Sequence, residues 1–257
     1  MPRYQAVTRS DFINLRWKRF ENYSFAASDV IVPLAGQELP EACISLPVAF
    51  TRQGDGFVPV AVQGLQPGQN LFVTPDGRWS GPYIPAAYRM HPFTLAKVDD
   101  SRVVLFIDID SGLVGQGYPE TFFAENGEPG QALAAVLESL ENLQVNRNAT
   151  IRICAALEAE ALIQPWPVIV ETVDGPQTIN GLYRVDEAKF NALGAAALHR
   201  LHQAGAFPIV YCQLLSMRHI QALARLAQAG LNAQGSADAN AELRLDFLNS
   251  GDTISFA

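Results

Sequence analysis

Cysteine is scarce in this 257-residue chain: Cys43, Cys154 and Cys212 form no Cys-x-x-Cys pair. An odd count without that spacing excludes a closed disulfide frame and fits reduced thiols in the cytoplasm. Long apolar runs are missing too, and no stretch reaches the roughly 18 uncharged residues of a membrane span. The first twenty residues lack an apolar run followed by a small-residue cleavage site, so they do not read as a secretory signal. Basic residues are few, 18 Lys+Arg against 26 Asp+Glu, for a net charge of −8. A pI near 5.0 argues against an extended nucleic-acid surface. What is plentiful is apolar: 49% of residues, with 17% charged, which supplies a core and excludes wholesale disorder. The length fits one large domain or two small ones.

The charge is unevenly placed. Arg3, Arg9, Arg16, Lys18 and Arg19 face only Asp11 in the first twenty residues, a net +4 that leaves −12 for the remainder. Phe12, Ile13, Trp17 and Phe20 interleave with them. Such an arm suits a membrane surface, nucleic acid or a partner, or it lies on the acidic body of its own or a second copy. The last is the expectation, because the apolar residues form no broad helical face. Residues 30–110 read as short strands cut by Gly and Pro: Val30–Val32, Ile44–Phe50, Phe57–Val62 and Leu71–Val73. In residues 131–163, Leu133, Val136, Leu140 and Leu143 recur at helical spacing, and Ile151, Cys154, Leu157 and Ala161 do so in a shifted phase. A straight helix of that length is about 50 Å long, against a body about 45–50 Å across. A bend near Asn146-Arg147-Asn148, or a helix spanning the molecule, is expected.

Val168–Val173 and Thr178–Tyr183 read as a hairpin around Asp174-Gly175-Pro176. Asp186 reads as a helix cap, Phe190, Leu193, Ala197 and Leu201 as a buried stripe, and Gly205 as the stop. Phe207–Tyr211 reads as a short strand before a last helix to about Ala229. In that helix Cys212, Leu215, Ala222, Leu223 and Leu226 define one face, with His219 inside it. Residues 230–241 have a linker composition, and the alternation of Leu243, Leu245, Phe247, Ile254 and Phe256 reads as a terminal hairpin.

Motifs of chemistry are sparse. Val103–Asp110 ends in Asp-x-Asp, which puts two carboxylates on one strand face, where they could hold Mg²⁺ and attack a phosphate. That pattern resembles the first motif of haloacid-dehalogenase-like phosphatases. The later Lys and acidic pair of that family are missing, so Asp108 and Asp110 read instead as caps of local N–H groups. Gly112, Gly115 and Gly117 are in the wrong order for a phosphate loop. His199 and His202 stand off the buried stripe with no third ligand, and read as solvated. His219 reads as a core imidazole bonded to a backbone carbonyl. No Gly-x-Ser-x-Gly elbow occurs, and Cys212 has no obvious base.

The densest cluster is Trp79, Tyr83, Tyr88, Arg89, Met90, His91 and Phe93, on a segment stiffened by Pro82, Pro85 and Pro92. Aromatics with Arg make binding surfaces, and they equally fill a core under a loop. At this cluster the order of segments resembles the SapC family of bacterial proteins. The matching pieces are Gly68–Val73, Asp76–Trp79, Tyr83–Pro85, Arg89–Phe93, Asn126–Pro129, Gly181–Glu187 and Leu198–Ser216. At His219 the chain departs from the small polar residue, often Asn or Gln, found there in the family. The resemblance covers about residues 29–229 and implies no catalytic residues. The family name comes from a link to a bacterial surface layer, and some members are labelled peptide-transporter components. Family genes often neighbour those for TonB-dependent receptors and flavin-dependent tryptophan-halogenase-like proteins, which implies an accessory role in uptake or peptide modification.

The expectation is therefore an α+β protein, with a β-rich N-terminal half packed against a helical C-terminal half. It divides into an arm over 1–28, a SapC-like domain over 29–229, and a linker with terminal hairpin over 230–257. It is expected to be a non-enzymatic, cytoplasmic accessory protein, without cofactor or metal, that binds a peptide or partner protein and forms a homodimer. Trp79, Tyr83, Tyr88, Arg89, His91, Tyr183, Arg184 and His219 are the candidate binding residues. The alternatives are a metal-dependent hydrolase using Asp108 and Asp110, and a surface-layer scaffold.

Overall fold

The computed structural model describes residues 2–98, 102–172 and 175–228. The chain opens with strand β1 (Tyr4–Ala6), a single helical turn α1 (Arg9–Phe12) capped by the Thr8 hydroxyl, and β2 (Arg16–Trp17). Strand β3 (Ile31–Pro33) and helix α2 (Leu39–Ala42) lead to the hairpin of β4 (Val48–Gln53) and β5 (Gly56–Val62). After the aromatic segment come α3 (Ala86–Arg89), β6 (Phe93–Lys97) and β7 (Val103–Asp108). The short β8 (Val114–Gly115) and β9 (Glu120–Thr121) precede the 29-residue helix α4 (Gln131–Ala159). Four strands come next: β10 (Ile163–Pro165), β11 (Val168–Thr172), β12 (Gly175–Ile179) and β13 (Tyr183–Val185). The described chain closes with α5 (Glu187–Asn191), α6 (Ala195–Ala204), α7 (Phe207–Ser216) and further helical turns over 219–228.

The strand pairings among the described residues are antiparallel. The largest sheet has the order β10-β13-β4-β5-β3; two three-stranded sheets run β1-β7-β6 and β8-β2-β9, and β11 pairs with β12. This is an α+β architecture with β-rich first and helical second halves. The apolar side chains gather into two cores. The larger holds Leu46, Val48, Phe50, Val60, Leu157, Leu201 and Val210; the smaller holds Phe12, Trp17, Phe93, Ile107, Phe122, Leu133 and Leu140. Helix α4 serves both, and it does so unbroken. Its first stripe (Leu133, Val136, Leu140) and its second (Thr150, Cys154, Leu157) lie about 65° apart at 100° per residue, so the phase shift in the sequence accompanies a change of core and no break in the helix.

The basic N-terminal segment lies on its own chain. β1 pairs with β7 and β2 lies between β8 and β9, while Phe12 and Trp17 are fully buried. Three of its cations find partners nearby: Arg3 pairs with Asp110 at 3.1 Å, Lys18 with Glu21 at 3.5 Å, and Arg16 donates to the Tyr118 and Pro119 carbonyls.

Several local expectations are corrected. Ile44–Leu46 is turn, and the strand starts at Val48. Leu71–Val73 makes only an isolated bridge from Val73 to Trp79. Phe207–Tyr211 is helical: Pro208 fits a first helical turn, where no N–H is needed, and the buried positions Ile209, Val210, Gln213 and Ser216 keep helical spacing. The stripe of 190–201 is split between α5 and α6, and Asp186 caps α5 through the Lys189 N–H. Gly205 ends α6 at φ +73°, a conformation that suits glycine. The expected linker and hairpin of 230–257 lie outside the described residues.

Candidate functional site

The aromatic segment 72–93 folds back through its own hydrogen bonds. Thr74 and Arg78 are joined backbone to backbone around Gly77, whose φ is +80° and where any β-carbon would collide with Asn22 and Ser24. That turn sets Trp79 against Phe72, stacked at 5.6 Å, and Trp79 Nε1 donates to the Tyr83 carbonyl at 2.9 Å. One acidic side chain organises the stretch from Tyr83 to Ala86. Glu38 accepts from the Tyr83 hydroxyl (2.9 Å), the Ala86 N–H (2.7 Å) and the Ala35 N–H (2.8 Å), tying α3 to the start of α2. Tyr83 and Tyr88 are buried, and burial raises both phenols well above the usual tyrosine range. Arg89 is turned onto its own segment: Nε and Nη2 donate to the Ile84 carbonyl and the guanidinium lies 5.2 Å from the Tyr83 ring.

The other side of this segment forms the wall of a cleft of about 1110 Å³. Its floor is the His91 ring, stacked on Phe25 at 3.7 Å and 6°, with Phe20 edge-on to both. Tyr88 reaches the cleft from the core and donates to Gln63 Oε1 at 2.7 Å, with Asp29 Oδ2 at 3.1 Å. Burial raises the Asp29 carboxyl, an effect the Tyr88 hydroxyl partly offsets. Burial lowers His91 to about 4, and the attraction of Asp108 only partly opposes it, so at neutral pH the imidazole is uncharged. Asp29, Asp108, Asp110 and Glu21 line the cleft; among the described residues the one cation lining it is Lys18. Glu21 is paired with Lys18 at 3.5 Å and Asp110 with Arg3, so the cleft offers aromatic faces and a residual carboxylate charge at Asp29 and Asp108, a setting that favours cationic groups.

Asp108 and Asp110 are both engaged. Strand β7 ends at Asp108, whose Oδ1 accepts from the Arg3 and Asp110 N–H groups at 3.0 and 3.1 Å, while Asp110 holds Arg3. This is the capping arrangement, with the carboxylates committed to N–H donors. Among the described residues no three His, Cys, Asp or Glu side chains gather as a metal cluster. Two of the thiols are poor nucleophiles: burial pushes Cys154 up to about 12, and burial with the neighbouring Cys43 pushes Cys212 up to about 12.

Of the candidates read from the sequence, the fold brings Tyr88 and His91 to one cleft, with Trp79 and Tyr83 packed behind them. Tyr183 is elsewhere, edge-on to Phe57 at 4.9 Å, and its neighbour Arg184 lies opposite Gln164 in the β10–β13 pair. His219 donates to the Cys43 carbonyl at 3.1 Å, where α2 ends. The bond to a backbone carbonyl is as expected, while the apolar face around it is split: Leu223 is buried, Cys212 and His219 are half-buried, and Leu215 and Leu226 are exposed. His199 and His202 are exposed beside a hollow of about 500 Å³ between α5, α6 and α7. Asp29, Phe25, Glu38 and Gln63 went unread. The one available signal was the aromatic density of Trp17, Phe20, Tyr23 and Phe25, which continues the 79–93 cluster in space.

The SapC family model matches residues 7–223. That span includes the cleft's aromatic floor, Glu38, and the whole of both cores, together with most of the basic segment. No curated protein matches the chain, and no solved structure does.

Proposed function

The chain belongs to the SapC family, and from that premise we propose that it is a cytoplasmic accessory protein that binds a peptide or partner protein in the cleft over Phe25 and His91. The observation that carries this reading is the cleft's lining. An opening of about 1110 Å³ exceeds the pocket of a typical small ligand and suits several residues of an extended segment. Stacked rings supply contact area with little entropy to lose, and the carboxylate excess selects a segment bearing Lys or Arg. An accessory role in uptake or peptide modification, as the family resemblance implies, asks for binding of this kind and for no chemistry.

The test is selection of a random peptide library on the immobilised protein. Basic sequences should be enriched, and their affinity should fall steeply with salt. Ser28→Trp, an exposed change at the mouth, and Asp29→Asn on the wall should each weaken capture about tenfold or more, with an unaltered far-UV spectrum. Peptides retained equally by wild type and Ser28→Trp would move the site elsewhere.

A further inference from the structure

A second cavity, of about 200 Å³, lies between the middle of α4 and the β3–β5 edge of the large sheet. Its walls are mostly apolar, with Leu34, Pro59 and Ile151 among them. Two of its polar side chains, Thr150 and Gln144, are spent on local hydrogen bonds. The Thr150 hydroxyl donates to the Asn146 carbonyl and accepts from the Gly36 N–H, both at 2.7 Å. Gln144 Nε2 donates to Asn148 at 3.1 Å. Arg147 differs: its Nε is sealed from solvent and has no hydrogen-bond acceptor among the described residues. The carboxylate whose charge bears on it, Glu38, already accepts three hydrogen bonds from Ala35, Tyr83 and Ala86 and makes none to Arg147. Arg184 also has a sealed Nε, but it lines neither this cavity, nor the cleft, nor the hollow beside α6.

A guanidinium presents its donors in one plane, and a planar carboxylate matches that fork. Burial works against the Arg147 charge, and an anion beside its guanidinium in the cavity offsets that cost. We propose that this cavity binds a small organic carboxylate, with the carboxylate on Arg147 and a short hydrocarbon body against Leu34, Pro59 and Ile151. The cavity is too small for a nucleotide, and Arg147 is the charged residue of its lining, beside the amides of Gln53 and Gln144. This site shares no lining residue with the peptide cleft; Glu38, whose charge bears on Arg147, also holds Tyr83 and Ala86 of the aromatic segment.

Butyrate, butanol and inorganic phosphate are the probes, added at constant ionic strength to protein labelled with ¹⁵N-arginine. Butyrate should move the Arg147 Nε–H resonance saturably in the millimolar range, and butanol should not move it. Arg147→Lys keeps the charge and stem but loses the planar fork, and should bind butyrate about tenfold more weakly. Ile151→Trp, one helical turn from Arg147 and partly exposed, fills the cavity and should abolish the butyrate-dependent shift. The proposal is overturned by the absence of a saturable shift, by an equal response to phosphate, or by full butyrate affinity in either variant.

Discussion

His91 combines a stacked ring with a depressed basicity, and both arise from its place between Phe25 and the end of the aromatic segment. Its pH consequence has a definite sign. In the unfolded chain the imidazole takes up a proton as pH falls below about 6.5; in the folded protein it stays neutral until about 4. The stability that comes from keeping it neutral is complete above 6.5 and drains away as pH falls toward 4. Asp29 works in the opposite direction, since its raised carboxyl binds a proton more readily when folded. The two are separated by His91→Phe, which keeps an aromatic ring for Phe25 and has nothing to titrate. Urea unfolding at pH 7, 5.5 and 4.5 should give a flatter profile for this variant than for wild type. Identical slopes would mean that His91 is as basic in the fold as in solution. The ring itself was legible as part of an aromatic cluster. Its neutrality was not, because it depends on Phe25, which is 66 positions away in the chain.

Helix α7 shows why an amphipathic reading of the sequence picked the wrong face. Its buried side carries Gln213 and Ser216, while Leu215 is 66% exposed. The reason lies in strands β4 and β13, whose ends present backbone groups to the helix. Gln213 Oε1 accepts from the Val185 N–H at 3.0 Å and Nε2 donates to the Val48 carbonyl at 3.1 Å; the Ser216 hydroxyl accepts from the Val48 N–H at 3.0 Å. The helix thus completes the sheet with side chains, and burial of amide and hydroxyl outranks burial of leucine. Gln213 and Ser216 were visible only as part of a family pattern; hydrophobicity alone assigns them to solvent. Gln213→Ala should cost about 2–4 kcal/mol, because two buried backbone groups are left unpaired. Gln213→Leu separates the causes. If it is as unstable as the alanine variant, the hydrogen bonds matter; recovery of stability with leucine would show that the position only needed filling.

At the scale of the molecule, the α+β class and its two halves were readable from where strand-like and helix-like periodicity occur, but the division into two cores was not. It depends on β1 and β2 returning to β7, β8 and β9, pairings about a hundred residues apart in sequence, and on a helix whose stripe changes phase midway. Sharing α4 makes the cores one cooperative unit, since unfolding either one frees half of the same helix. Trp17 tests this. It is 1% exposed in the smaller core, in edge contact with Phe93 at 4.8 Å, and Trp17→Ala should cost about 3–5 kcal/mol. With Trp17 gone, the remaining tryptophans, Trp79 and Trp166, both report on the larger core. Their fluorescence should track the same urea transition as the far-UV signal of the helices, displaced to lower denaturant as a whole. If fluorescence held its wild-type midpoint while helical signal was lost earlier, the smaller core and its end of α4 would be melting alone. The N-terminal segment would then be a separable layer on a self-sufficient larger core, and the cleft, which both layers line, would open before the protein unfolds.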